Sequence, residues 1–174
     1  MDVGPAAESL AGDVGQGGMV VLRSFGKFFG LAGVRLGFAL ADPLTVERLE
    51  AQFGPWAVAG PALEYGIRAL ADTAWQSAMR RRLAQDAARL DALFSRFGAP
   101  VTGGTTLFRY FSLPDAAGLF SALGERGILL RHFADRRQVL RAGLPGAEEE
   151  WQRLESALAD WASRRDDQTK GREQ

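Results

Sequence analysis

The sequence contains no cysteine and only one histidine, His132, among its 174 residues. Disulfides and thiolate metal sites are therefore excluded, and a histidine-based zinc site or a Ser-His-Asp triad has very few residues to draw on. Acidic and basic residues balance at 21 each, so no overall field attracts the protein to nucleic acid or to a membrane surface. We expect neither a metal site nor a nucleic-acid partner.

Long apolar runs are also missing. No stretch approaches the roughly 20 apolar residues that a membrane-spanning helix needs. The first 18 residues, rich in Gly, Ala and Asp, lack the basic and apolar blocks of a signal peptide. We therefore expect a soluble cytoplasmic protein without a membrane partner. Because this segment leads directly into a strongly apolar one, we also expect that the natural domain begins upstream of it.

Strand and helix patterns alternate along the first half of the chain, which is typical of an α/β fold. Near-continuous apolar runs predict two strands, 19–24 and 35–41, each covered on both faces. Asp42 followed by Pro43 predicts the start of a helix that ends near Phe53. Helical spacing of apolar residues predicts two further helices, 63–72 and 73–97, and Gly98 ends the second.

The second half of the chain predicts a compact α+β unit. Strand patterns cover 105–113, 128–133 and 138–144, and helical patterns cover 115–127 and 147–163. The polar residues after 163 show no periodicity, so we expect a disordered tail. The predicted organisation is a first domain over 1–72, a connecting helix over 73–97, a small domain over 98–163 and a tail over 164–174.

The segment 23–37, RSFGKFFGLAGVRLG, places Lys27 among four glycines between the first two predicted strands. A phosphate-binding P-loop would need Ser or Thr after the lysine, where Phe28 stands, and a dinucleotide-binding fingerprint would need a different glycine spacing. A third interpretation is a lysine that forms a Schiff base with pyridoxal phosphate, with Ser24 and Arg35 as ligands of the cofactor phosphate. The alternative is a tight turn whose basic side chains only face solvent.

The same segment resembles the signature of the class I/II aminotransferase family, Ser-x-x-Lys followed by Gly-Leu-Ala-Gly-x-Arg-x-Gly. This resemblance implies a fold type I enzyme that depends on pyridoxal 5'-phosphate, and here its C-terminal part: the edge of the large-domain sheet, a connecting helix and a small α+β domain. It also implies that Lys27 is the catalytic Schiff-base lysine and that Ser24 and Arg35 bind the cofactor phosphate.

Two later segments are similar to family motifs that carry substrate-binding arginines. GILLRHF, residues 127–133, resembles a strand whose arginine binds a phosphorylated substrate, which implies that role for Arg131. LRAGLPG, residues 140–146, resembles a motif whose arginine binds the substrate α-carboxylate, which implies that role for Arg141. The alternative is that each arginine extends its aliphatic stem to a surface partner.

Within the family, the segments 54–70, 103–111 and 140–146 are most similar to the threonine-phosphate decarboxylases. We therefore expect decarboxylation of L-threonine O-3-phosphate to aminopropanol phosphate in cobalamin biosynthesis. The alternatives are a histidinol-phosphate aminotransferase or a non-catalytic fragment. The resemblance also implies a small phosphorylated amino acid as the partner and a homodimer at full length.

Members of this family are about twice as long, and the resemblance begins near their middle. The expected carboxylate for the pyridine nitrogen, the aromatic side chain that stacks on the ring and most strands of the large sheet would precede residue 1. We therefore expect this chain alone to be inactive or nearly so. We also expect an exposed apolar edge on its first sheet.

Overall fold

The computed structural model describes residues 9–16 and 18–170, and the side chains of these residues except 16 and 166–170. Within these ranges the chain is a mixed α/β structure with two antiparallel sheets. It divides into two compact units, one ending at Arg80 and the other beginning at Arg81. The expectations about residues 1–8 and 171–174 fall outside the described residues.

The first unit begins with a two-stranded sheet. β1 (Val21–Ser24) pairs antiparallel with β2 (Gly37–Leu40), and Ser24 lies opposite Gly37. The prediction that both faces of these strands are covered is wrong, since Leu22 is 77% exposed. Among the residues described, this sheet has only two strands. Strands that are buried on both faces belong to larger sheets that have helices on each side.

Three helices follow: α1 (Pro43–Phe53), α2 (Gly60–Ala71) and α3 (Thr73–Arg96). The start predicted for α1 is confirmed, because the Asp42 carboxylate accepts a hydrogen bond from the Thr45 amide at 3.0 Å. α2 begins three residues earlier than predicted. A Cβ atom at Gly66 would lie 2.5 Å from Leu36 Cδ2, so glycine lets α2 approach the segment before β2.

The second unit contains a four-stranded antiparallel sheet in the order β3-β4-β6-β5. Its strands are β3 (Val101–Thr105), β4 (Phe108–Ser112), β5 (Arg131–His132) and β6 (Val139–Gly143). The sequence did not predict β3, which forms a hairpin with β4. Its two glycines are more typical of a loop than of a strand. The hairpin requires glycine at position 104, because its φ is 135° and a Cβ atom there would lie 2.2 Å from the Phe108 carbonyl oxygen.

Two helices, α4 (Ala116–Glu125) and α5 (Glu148–Lys170), pack with the later turns of α3 on one face of this sheet. The predicted end of α3 is confirmed, since Gly98 adopts φ of 76° just beyond it. The division between the units falls inside α3, and α5 includes residues 164–170, which the sequence assigned to the tail. The side chains that are almost fully buried in this core are Leu90, Phe94, Phe111, Leu119, Leu123, Leu140 and Leu158.

Two arginines attach α3 to its neighbours within the second unit. Arg109 of β4 makes two hydrogen bonds of 2.6 Å to the carboxylate of Asp91. Arg89 donates two hydrogen bonds of 2.7 Å to the carboxylate of Glu148 at the start of α5. Its guanidinium also lies over the Trp151 ring. The first bidentate pair attaches α3 to the sheet, and the second attaches α3 to α5.

The Glu148 pair predicts a pH dependence of stability. Hydrogen bonds from Arg89 hold the pKa of the Glu148 carboxyl below its ordinary value. The pair therefore stabilises the fold above the unfolded-state pKa, and this contribution is lost as the pH falls through the lower, folded-state pKa. We expect the Tm of the wild-type chain to fall more steeply below about pH 5 than that of Glu148→Gln. Glu149→Gln should follow the wild type, and equal slopes for all three would contradict the expectation.

Candidate active site

Three of the predicted site residues lie on one connection, residues 25–36 with their flanking positions, which we call the lysine loop. Ser24 ends β1, Lys27 lies in the first turn, and Arg35 stands two residues before β2. Because Ser24 is paired with Gly37, the two ends of the loop meet at the sheet. All three side chains are exposed. The loop therefore brings a hydroxyl, an amine and a guanidinium onto one short segment.

Aromatic residues on either side of Lys27 anchor the loop. Phe25, Phe28 and Phe29 are buried, and the rings of Phe25 and Phe29 stack with centroids 4.4 Å apart. Trp75 of α3 also contacts this group, and its ring centroid lies 5.5 Å from that of Phe28 and 5.8 Å from that of Phe29. Burial of these rings holds the loop backbone while the Lys27 side chain stays outside. This anchor was not predicted from the sequence, although three phenylalanines within five residues indicate it.

Backbone hydrogen bonds tighten the turn around Lys27. The Gly30 amide donates to the Lys27 carbonyl at 3.0 Å, and Gly30 has φ of 67°, which glycine adopts without strain. The Gly26 amide donates to Ser24 Oγ at 3.1 Å. Since this hydroxyl oxygen accepts from the backbone, its own proton can be donated to an anion.

Arg35 has an unusual backbone. Its φ of 56° and ψ of 39° place it in the left-handed region, and it is the one non-glycine residue with positive φ in the described ranges. Its Nη1 donates to the Ala32 carbonyl at 3.1 Å, which folds the side chain over the loop and leaves other N–H donors available. Non-glycine residues in this conformation concentrate at functional sites, which marks Arg35 as a candidate.

The donor set of the lysine loop fits pyridoxal 5'-phosphate. The cofactor needs a primary amine for its aldehyde and hydroxyl and guanidinium donors for its phosphate, and the loop provides one of each. Ser24 and Phe25 line a pocket of about 150 Å³. Lys27 and Arg35 are not among the residues that line this pocket. Lys27 forms no hydrogen bond or ion pair with any residue that the structure describes, so its amine is available.

The two predicted substrate-binding arginines lie side by side in the second unit. Arg131 of β5 is directly opposite Arg141 of β6, so both side chains project from the same face of the sheet. That face is the one turned away from α4 and α5, because Leu140 and Ala142, the neighbours of Arg141 on β6, are buried in the core. Opposed positions place the two Cβ atoms about 5 Å apart.

Aromatic rings support both guanidiniums. Arg141 Cζ lies 4.3 Å from the centroid of Phe108, and Arg131 Cζ lies 5.9 Å from that of Phe133. Neither arginine has a carboxylate partner within the ranges that the structure describes, unlike Arg89 and Arg109. Like charges directly opposite each other destabilise a sheet, and a bound anion removes that cost. The pair therefore has the properties of an anion-binding site.

The ring of His132 packs edge-on against that of Phe120 of α4, with centroids 5.2 Å apart, which indicates a structural role for this histidine. Across residues 9–16 and 18–170 no group of three or more possible ligands could hold a metal ion. In the same residues no helix combines the length and the apolar character that crossing a membrane requires.

The fold has close counterparts among solved structures. Histidinol-phosphate aminotransferase from Sinorhizobium meliloti, in complex with pyridoxal-5'-phosphate, superimposes with a TM-score of 0.73 over 83% of this chain and 41% of that chain, at 22% sequence identity. Identity at this level shows the fold alone. The chain thus has the fold of part of a pyridoxal-phosphate-dependent, fold type I enzyme.

The sequence comparisons show the family. The model of the family "Aminotransferase class I and II" matches residues 3–160. The threonine-phosphate decarboxylase of Pseudomonas aeruginosa is 46% identical over 158 residues, which cover 91% of this chain and 47% of that protein. A histidinol-phosphate aminotransferase of Mycobacterium bovis is 34% identical over 158 residues, covering 84% of this chain and 41% of that protein.

The protein belongs to the class I and II aminotransferase family, whose members depend on pyridoxal phosphate. The resemblance stated from the lysine motif is confirmed, and so is the fold class. The chain spans about half the length of the curated relatives that it matches.

Proposed function

We propose that this chain takes part in the pyridoxal-phosphate-dependent decarboxylation of L-threonine O-3-phosphate to aminopropanol phosphate, a cytoplasmic step of cobalamin biosynthesis. The observation that carries the proposal is the pair Arg131 and Arg141, directly opposite each other and without carboxylate partners among the described residues. The 46% identity to a threonine-phosphate decarboxylase supports the same substrate.

On the lysine loop, the amine of Lys27 would hold the cofactor and would also be the group that moves a proton at the substrate Cα. The Ser24 hydroxyl and the Arg35 guanidinium bind the cofactor phosphate. Bound pyridoxal phosphate supplies an electron sink for a carbanion at Cα. The buried phenylalanines beside Lys27 keep the amine on the outer side of the loop.

On the sheet of the second unit, Arg141 binds the substrate α-carboxylate and Arg131 binds its phosphate. A planar guanidinium meets either anion with two parallel hydrogen bonds. Threonine phosphate carries its two anions only a few bonds apart, which suits two guanidiniums whose Cβ atoms are about 5 Å apart. Histidinol phosphate has a phosphate and no carboxylate, so it would engage only one of the two arginines in these roles.

The second candidate is a histidinol-phosphate aminotransferase, which the Mycobacterium bovis relative favours. Arg141 anchors a carboxylate in both reactions, because a transaminase also binds an amino-acid donor. Arg141 alone therefore does not separate the two.

The extent of the match limits what this chain does by itself. The relatives are about twice as long, so we propose that the chain alone is inactive or nearly so and that the full-length form is a homodimer. Exposed apolar side chains on β1 and β2, such as Leu22 and Phe38, are consistent with a sheet that is completed by further chain.

A chimera tests the reaction. The chain replaces the matching half of the Pseudomonas aeruginosa decarboxylase, and the purified product is supplied with pyridoxal phosphate and L-threonine O-3-phosphate. We expect CO2 release that needs no 2-oxo acid and is lost in the chimera carrying Lys27→Ala. Turnover that requires a 2-oxo acid and releases no CO2 would favour the aminotransferase instead.

A further inference from the structure

A row of opposed residues crosses the second-unit sheet at the level of the arginine pair. Gly103 of β3 lies opposite Tyr110 of β4, Tyr110 opposite Arg141, and Arg141 opposite Arg131. Opposed residues on neighbouring antiparallel strands project from the same face. Tyr110 is therefore as close a neighbour of Arg141 on one side as Arg131 is on the other, on the face turned away from the helices.

The Tyr110 hydroxyl is held by a residue from another part of the chain. Arg136, in the connection between β5 and β6, donates from Nη1 to Tyr110 Oη at 3.2 Å. The ring itself lies 6.1 Å from Phe133, which also supports Arg131. A phenol oxygen that accepts one hydrogen bond keeps its own proton to donate. Arg136 thus fixes the oxygen while the O–H donor is left for another acceptor.

We propose that Tyr110 is a third donor in the substrate site, giving a hydrogen bond to the carboxylate held by Arg141, and that Arg136 positions it. This inference rests on the proposed substrate. The order Tyr110, Arg141, Arg131 across the sheet makes Tyr110 a direct neighbour of Arg141, whereas Arg131 lies one strand further from Tyr110. A carboxylate that accepts hydrogen bonds from two sides cannot rotate freely about the Cα–carboxylate bond. Tyr110 therefore contributes to the preference for a substrate that carries a carboxylate.

Calorimetric titration of the whole 174-residue chain tests the inference with two probes. O-Phospho-L-threonine carries both anions, whereas aminopropanol phosphate lacks the carboxylate. Tyr110→Phe removes only the hydroxyl, and we expect its affinity for phosphothreonine to be about tenfold lower or more, since a hydrogen bond to a charged group is lost. Affinity for aminopropanol phosphate should be unchanged. A structural role for the hydroxyl would change both affinities or neither.

The positioning role of Arg136 predicts the same selective loss in Arg136→Gln and partial recovery in Arg136→Lys, which keeps a donor. The Arg136 side chain is 62% exposed, so its replacement does not endanger the fold. Matched controls are Arg137→Gln, at the adjacent position, and Tyr65→Phe, the other tyrosine of the chain. Both should bind the two probes as the wild type does.

The outcomes separate this inference from the proposed function. If Arg141→Gln loses phosphothreonine binding but Tyr110→Phe does not, the role of Tyr110 is overturned and the proposed substrate stands. Equal losses for both probes in Tyr110→Phe would also overturn it. If the wild-type chain binds neither probe, the substrate site and the role of Tyr110 both fall, while the cofactor assignment is still judged by covalent labelling of Lys27.

Discussion

Replacing Lys27 with alanine is expected to abolish the visible absorbance that appears when pyridoxal phosphate is added to the chain. The reason is chemical: the absorbance needs a covalent link between the cofactor aldehyde and a primary amine. Lys27 provides that amine from an exposed position, with a hydroxyl and a guanidinium on the same loop to bind the phosphate. The loss should be complete because alanine leaves no nucleophile at the site.

The chain offers a matched control for this change, since Lys170 is its only other lysine. Lys170→Ala should keep the absorbance and the apparent affinity of the wild type. Equal loss in both variants, or none in Lys27→Ala, would show that the cofactor reacts nonspecifically and that the lysine loop does not bind it.

The second large effect concerns the core of the second unit. Phe94 of α3 is fully buried, and its ring centroid lies 4.5 Å from that of Phe111 on β4. Truncation to alanine removes the contact between the helix and the centre of the sheet and leaves a cavity. We expect Phe94→Ala to lower the free energy of unfolding of this unit by about 3–5 kcal/mol. Amide hydrogen exchange of β4 and β6 measures this loss directly.

A milder variant and a neighbouring control make the stability result decisive. Phe94→Leu keeps most of the side-chain volume and should lose clearly less stability than Phe94→Ala. It keeps the prediction testable if Phe94→Ala does not fold. Phe97→Ala removes a partly buried ring that packs against the same core, so its effect should be smaller. A loss below about 1 kcal/mol for Phe94→Ala would contradict the assignment of this ring to the centre of the core.

Local sequence signals predicted the parts of the molecule that depend on local chemistry. Asp42 and Pro43 mark the start of α1 because a carboxylate cap and a proline suit only the first turn of a helix. Gly98 ends α3 because glycine adopts positive φ without strain. The lysine motif assigned Lys27, Ser24 and Arg35 together, and the structure places them on one loop. Their roles as ligands of the cofactor stay predictions.

Features that depend on pairing between distant segments were not predictable in the same way. β3 was missed because its two glycines suggest a loop, and only the hairpin with β4 makes it a strand. The sequence pointed to Arg131 and Arg141 separately, but their direct opposition depends on the register of β5 and β6. The hydrogen bond between Arg136 and Tyr110 joins residues that are 26 positions apart, and no local pattern indicates it.

The most direct test of the central claim is to locate the cofactor on the chain. The protein is incubated with one equivalent of pyridoxal phosphate and reduced with borohydride, which makes the link to an amine permanent. Mass spectrometry of the proteolytic peptides then identifies the labelled residue. We predict one phosphopyridoxyl group per chain, on Lys27. Label on Lys170 or the N-terminal amine, with Lys27 unmodified, would contradict the assignment of the lysine loop as the cofactor site.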